Sequence, residues 1–440
     1  MRTLERRLGT RAATALVVGE VIGVGIFLTP AEMTRALGSP FWVLLVWLVV
    51  GAAALCGALC YGELAARYPE AGGGYVYLRE AFGPGLAFLY GWKSLLVMDP
   101  GLTAALAAGF ARYFGYLAPL SSTGEKVVGI AAILVLAGVN AVGVRLGALF
   151  LQVLTALKLV LLGVIVTWGF ASGRGDAEHF LPLVAPRPGS APLLAGLAGG
   201  VVGAFFAFGG FWDVAKIGGE VKDPARNLPR ALVLGVTIVT LVYILTTAVF
   251  IYLVPIEAAT SGDAFAASVG KALFGPAGGR TFAAVVVVAV LGSLAAVLMA
   301  APRVYHAMAT DGVFPRVVGE IHPRFGTPAR AIALQAVLAC VLLGLGSFSA
   351  IVAYFVFVTI AFIALTVASL YRLPRPSGAA YRVPGYPWTP AGFLALLALL
   401  LVLMAAGSPR QAALGTLVVA LGVPVYLWYV PLMRRRQKES

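Results

Sequence analysis

The chain has 440 residues, 60% of them hydrophobic and 11% charged, with a formal net charge of +14. A soluble domain carries about 25% charged residues, so this composition excludes a large water-soluble core and marks an all-α polytopic membrane protein. The basic excess does not imply nucleic acid, because it concentrates in alternate loops between apolar runs.

A crossing helix needs about 20 residues. Twelve apolar runs of that order are predicted, at about 12–36, 41–66, 84–113, 125–144, 146–171, 192–217, 230–254, 278–308, 328–346, 348–371, 389–406 and 411–433. Pro, Gly or charge clusters mark most of the gaps. The connections at about 172–190 and 255–277 are the longest predicted outer loops, and no tail is long enough for a further domain.

The first run follows Arg2, Arg6, Arg7 and Arg11, as the apolar core of a signal peptide would. Glu20 interrupts it and no clear small-x-small site follows, so a retained first helix is expected. Inside it, Gly19-Glu20-Val21-Ile22-Gly23-Val24-Gly25 carries three glycines, each costing a helix about 1 kcal/mol relative to Ala. Unpaired backbone within a bilayer is tolerated only where protein or a watery cavity covers it. In the second run, Cys56 and Cys60 lie one helical turn apart without His or acidic company and read as packing residues, as does Cys340. The third run holds Lys93 and Asp99, the latter followed by Pro100, and the fifth holds Lys158 near its middle. The sixth run is broken again, at Phe206-Ala207-Phe208-Gly209-Gly210-Phe211, with Asp213 just beyond. Two interrupted crossings in corresponding halves are the best sequence pointer to a transporter's binding site.

Of the 32 Lys and Arg residues, Lys93 and Lys158 fall within crossings and eight in outer segments, leaving the rest inside. The positive-inside rule therefore puts both termini in the cytoplasm, the Arg434-Arg435-Arg436 end acting as an anchor. Crossings 1–5 (residues 12–171) and 6–10 (192–371) each open with a broken helix. Five helices per half make the second an inverted repeat of the first, with crossings 11 and 12 (389–433) outside it.

A broken helix offers free carbonyls at one half-helix end and free N–H groups at the next. An α-amino acid carries an ammonium and a carboxylate on one carbon, so one unwound segment can hold both without a charged side chain. Phe206, Phe208 and Phe211 could close over such a ligand, with simple packing the expectation for Phe208. Charges within the membrane default to functional candidates. Lys158 is the clearest. Glu20, beside the carbonyl end of the first half-helix, needs a cation or a proton, and Asp99 could face the pocket. Lys93 and Glu63 are expected near surfaces, and Asp213 in structural pairing.

The stretch Gly23-Val24-Gly25-Ile26-Phe27 resembles the glycine-rich helix 1 signature of the amino acid–polyamine–organocation superfamily. Phe206 to Trp212, Gly219-Glu220-Val221-Lys222-Asp223-Pro224 and Arg226-Asn227-Leu228-Pro229-Arg230-Ala231 resemble its helix 6 signature and the following loop. Glu63, Pro69 and Gly72-Gly73-Gly74-Tyr75 are similar to the segment after helix 2, and Arg303 to Met308, Asp311-Gly312 and Pro315 to that after helix 8. Within the superfamily the resemblance is to sodium-independent amino acid permeases and L-type exchangers. It implies a rocking-bundle fold with alternating access. It places the substrate carboxylate on the N–H groups of Val24 and Gly25 and the amine on the carbonyls of Val21, Phe206 and Gly209. Phe206 becomes the aromatic gate, and Ile22, Gly23, Ala207 and Phe211 complete the predicted site. Lys158 resembles a tethered substitute for a sodium ion bridging helices 1 and 8, with Ser293 as its polar neighbour, and is a candidate proton-coupling site in a symporter or a permanent strut in an exchanger. Many relatives have Ser where this chain has Val24, so one side-chain hydroxyl is missing.

The expected function is sodium-independent transport of small or medium neutral L-amino acids, with exchange and proton-coupled uptake both open. Asp99 keeps a cationic amino acid or polyamine substrate as the alternative. A channel would need a repeated pore motif. A membrane-embedded enzyme would need a nucleophile motif or metal-ligand spacing, which His179, His306 and His322 do not supply. The expected partners are the amino acid, the lipid bilayer and, for symport, protons. No metal and no cofactor are expected, and the sequence names no partner subunit.

Overall fold

The computed structural model describes residues 4–259, 262–345, 348–375, 378 and 380–439. Arg2 of the basic N-terminus and residue 346 at the end of the ninth predicted crossing lie outside these. Among the described residues all regular elements are helical, apart from an isolated bridge between Leu8 and Val221.

The first predicted crossing is two helices, α1 (Thr10–Val21) and α2 (Gly25–Leu37), bent by 44° at the glycine-rich break. The second is α3 (Pro40–Arg67), started by Pro40 and by Ser39, whose Oγ accepts the Trp42 N–H. A short α4 (Gly74–Phe82) precedes the third crossing, formed by α5 (Pro84–Lys93), a π-helical turn (Ser94–Met98) and α6 (Asp99–Gly115). The fourth and fifth crossings are α7 (Ser122–Val142) and α8 (Val144–Ala171). The sixth is α9 (Leu193–Ala207) followed by a 3₁₀ segment (Phe211–Glu220), and the seventh is α10 (Pro224–Leu253). The helix α11 (Gly262–Phe274) runs into the eighth crossing, α12 (Gly278–Ala300) and α13 (Pro302–Thr310). After a single turn, α14 (Arg316–Gly319), come α15 (Ala329–Leu345), α16 (Phe348–Arg372), α17 (Trp388–Gly407), α18 (Pro409–Ala420) and α19 (Gly422–Glu439). The α5–α6, α9–3₁₀, α11–α13 and α18–α19 stretches and five single helices are long and apolar enough to span a bilayer. The bent α1–α2 pair adds a tenth span, and α15 and α16 fill the two remaining predicted positions. The protein is an all-helical, multi-pass membrane protein.

One outer connection differs from expectation. Residues 255–277 were predicted as loop, but α11 lies within them (260 and 261 are outside the described residues). Its Phe265, Val269 and Leu273 are buried, spaced four apart so that they share one helical face. Phe265 packs edge-on to Phe250 at 6.2 Å, and Phe250 and Phe27 both meet Phe282. Amphipathic spacing in a short segment makes a helix that caps the bundle and not a solvated loop.

The centre of the molecule is α1, which packs against α8, α10, α12 and the 3₁₀ segment. The helix pairs α2–α9, α3–α10 and α6–α12 surround it. The end carrying the basic loops is tied together by ion pairs and backbone bonds. Arg303 and Glu220, both buried, pair at 2.7 Å. The N–H groups of Arg7 and Leu8 donate to the Glu220 carbonyl, and Lys222 N–H donates back to Leu8 O. Arg79 and Tyr75 converge on Asp311. Glu63 accepts from Arg67, Arg375 and the Val383 N–H.

Candidate functional site

The helix α1 stops where three glycines make continuation costly. Ile22 leaves the helical region (φ −77°, ψ 81°), and the Gly23 N–H turns back to Val21 O at 2.8 Å. This strands carbonyls at the end of α1. Lys158 on α8 takes two of them: its Nζ donates to Gly19 O at 2.8 Å and Ile22 O at 2.7 Å, and to Ala289 O of α12 at 2.8 Å. Ser293 Oγ lies 2.9 Å from Gly19 O and 3.1 Å from Ile22 O. A Cβ on Gly292 would stand 2.7 Å from Lys158 Nζ, so glycine is what leaves room for the ammonium. Lys158 is wholly buried, and its three N–H bonds have three carbonyl acceptors. An ammonium, with three N–H donors, satisfies that set directly.

The second break lies beside the first. The Gly209 N–H returns to Phe206 O at 2.9 Å, and Gly210 adopts φ +107°, a left-handed conformation that favours glycine. Tyr243 on α10 joins the two breaks, its hydroxyl lying 2.8 Å from Val21 O and 2.9 Å from Ala207 O. The ring is wedged between Trp47 and Phe208. A tyrosine in an apolar run gives no sequence sign of this role.

The predicted substrate residues divide by exposure. Val24, Gly25 and Gly209 are partly exposed and Phe206 is 44% exposed, whereas Val21, Ile22, Gly23 and Ala207 lie beneath them. Gly25 is against the other break, since a Cβ there would meet Ala207 Cβ at 3.1 Å. The helix α2 begins at Gly25 with no side-chain cap, leaving its first N–H groups open to an anion. The Val21 carbonyl already receives both Tyr243 and the Gly23 N–H, so the predicted amine contact there is taken up inside the protein, whereas Phe206 O receives the Gly209 N–H and keeps a lone pair. The Phe208 and Phe211 rings do not face this surface. Phe208 packs on Trp47 and Tyr243, and Phe211, fully buried, packs on Tyr61 and Trp212.

The remaining charges lie deeper than the sequence suggests. Asp99 does not face the exposed surface. It is fully buried, pairs with Lys216 at 3.1 Å and faces the Tyr305 hydroxyl at 3.3 Å. Lys216 also pairs with Asp213 at 2.7 Å. Neither Lys93 nor Glu63 is near a surface. Lys93 is buried over the Tyr90 ring, and Glu63 is buried among two arginines. Lys216, counted with the inner loop by hydropathy, is also buried. Its position three residues after Asp213 was the available sequence signal.

Two discontinuous helices meeting in the bundle, with opposite helix-end groups toward one accessible surface, define a transporter-type site. The chain belongs to the amino acid permease family, which it matches over residues 8–430. It is 30% identical over 436 residues to the serine/threonine exchanger SteT of Bacillus subtilis, covering 96% of each chain. It is 28% identical over 435 residues to the Asc-type amino acid transporter 1 of Mus musculus, covering 96% of this chain and 81% of that one. The b(0,+)-type amino acid transporter 1 of Oryctolagus cuniculus is 31% identical over 379 residues, covering 84% of this chain and 76% of that one. The family and these relatives are transporters, not enzymes.

Proposed function

We propose that this protein is a sodium-independent secondary transporter that moves small or medium neutral L-amino acids by alternating access. The observation that carries this reading is the approach of the two breaks at Gly25 and Ala207, with an uncapped helix N-terminus beside carbonyl ends. The N–H groups of Val24 and Gly25 take the carboxylate, and the carbonyls of Phe206 and Gly209 take the ammonium, Val21 O being already filled by Gly23 and Tyr243. Phe206 closes over the bound molecule. Lys158 does the work of a bound sodium ion, holding α1 to α8 and α12, with Ser293 beside it. Residues 12–171 and 192–371 act as two inverted repeats, with 389–433 outside them, in a cell membrane with both termini cytoplasmic.

A neutral substrate is favoured because Asp99, the acidic group that would select a cation, is engaged by Lys216. The name of SteT, a serine/threonine exchanger, points the same way. The test is uptake of labelled serine into proteoliposomes, with choline replacing sodium and unlabelled amino acid inside. Uptake that needs no sodium and is accelerated by internal substrate is expected. Inhibition by alanine, serine or leucine supports the neutral preference, and inhibition by arginine alone overturns it in favour of a cationic substrate.

A further inference from the structure

Five ionisable side chains are buried together beyond the two breaks: Glu20, Lys93, Asp99, Asp213 and Lys216. They comprise three carboxyls and two amines. Lys216 Nζ lies 2.7 Å from Asp213 Oδ2 and 3.1 Å from Asp99 Oδ1, and Tyr305 covers Asp99 Oδ2. Lys216 thus serves both Asp99 and Asp213. Glu20 is left over. Among the described residues neither of its oxygens has a donor, and nor does Asp213 Oδ1, and Glu20 lies against the second break that leads into Asp213, a Cβ on Gly210 standing 2.7 Å from its Cγ.

Each element packed on α1 has been assigned its groups. From α8 comes Lys158, with all three N–H bonds used on carbonyls. From α10 comes Tyr243, whose one hydroxyl proton is shared between Val21 O and Ala207 O, and from α12 comes Ser293, whose one proton is shared between Gly19 O and Ile22 O. The 3₁₀ segment brings Asp213 and Lys216, and Asp99 lies behind Lys216. Among the described residues none forms an ion pair or hydrogen bond with Glu20. Gly210 packs directly on the side chain, since a Cβ there would stand 2.7 Å from Glu20 Cγ. A buried carboxylate without a cation or a donor is costly, and it neutralises instead. A proton is the cation that fits.

We propose that Glu20 is a proton-carrying site: in this arrangement its carboxylic O–H donates to Asp213, tying the end of α1 to the second break, and the proton is a coupling ion. When α1 and the 3₁₀ segment separate, water reaches Glu20, the O–H bond breaks heterolytically and the proton passes to that water. The carboxylate left behind repels Asp213 and opposes resealing until a proton returns. This deepens the transporter reading and rests on it for the word coupling, whereas the protonated acid does not. It divides labour between two buried groups, with Lys158 a fixed strut and Glu20 the group that titrates.

Infrared spectroscopy of the purified protein at neutral pH tests the acid directly. The parent is expected to show the carbonyl stretch of a protonated carboxylic acid, shifted in D₂O, and Glu20→Gln to lose it. Asp213→Asn, which changes the acceptor, is expected to move the band without abolishing it. In proteoliposomes the parent's exchange rate is expected to vary with pH, and Glu20→Gln, which keeps a donor toward Asp213, to exchange with that variation lost. Absence of the acid band in the parent, its persistence in Glu20→Gln, or an unchanged pH profile in Glu20→Gln overturns the proposal. The first two readouts need no transport, so a failed transport reading cannot be mistaken for a failed proton site.

Discussion

The ammonium of Lys158 stands 2.7 Å from the carbonyl oxygen of Ile22, the residue at which the first helix leaves its course. A lysine from the fifth crossing thus terminates a helix in the first and grips the eighth through Ala289. Replacing it with Ala removes three hydrogen bonds to buried carbonyls, and Ser293, with one proton, can serve only one of Gly19 O and Ile22 O, so at least one carbonyl is left short of a donor at about 1–3 kcal/mol. Lys158→Ala is expected to unfold at lower temperature and to lose uptake, while the parent transports equally in sodium and choline. A strict sodium requirement in the parent, or full uptake by the variant, would reject the strut.

Gly25 offers an N–H in a space that a side chain would fill, with Ala207 Cβ 3.1 Å from where its own Cβ would be. Gly25→Val is expected to abolish amino acid binding while eluting as a folded protein in detergent. Retained ligand-induced thermal stabilisation in this variant would move the site away from the first break.

Tyr243 bridges Val21 and Ala207 with one hydroxyl while its ring packs on Trp47 and Phe208. Tyr243→Phe keeps the packing and removes the bridge, a net loss of about 0.5–1.5 kcal/mol for one hydrogen bond. Expression and fold should survive, and turnover should fall, because the two breaks no longer hold a common geometry. Unchanged KM and maximal rate would show that the bridge is structural alone.

Arg303 and Glu220 form a buried pair at the end carrying the basic loops. Removing one partner of such a pair costs about 3–5 kcal/mol, here charged against this arrangement. A cysteine introduced at Ala215, a fully buried position, in a background lacking Cys56, Cys60 and Cys340, reports opening. Glu220→Gln is expected to speed its modification by an aqueous thiol reagent, and an unchanged rate would mean the pair does not hold this end shut.

The sequence by itself determined the class, the order of the crossings and the two breaks. These depend on local properties: an apolar run long enough to span lipid is visible as a run, and clustered glycines weaken a helix wherever they fall. It also singled out Lys158, because an ammonium deep in an apolar stretch must find acceptors, and a broken helix supplies them. Only the tertiary structure decided which charges meet. Asp99, Lys93 and Lys216 belong to two different crossings, and nothing along the chain says that Lys216 reaches Asp99 or that Glu20 ends against Gly210 of the second break. Tyr243 was invisible for the same reason, its hydroxyl having a partner only where α10 crosses both breaks. Side-chain pairing across helices depends on which face each helix turns inward. In a chain apolar nearly all round its helices, packing sets that face and hydropathy does not.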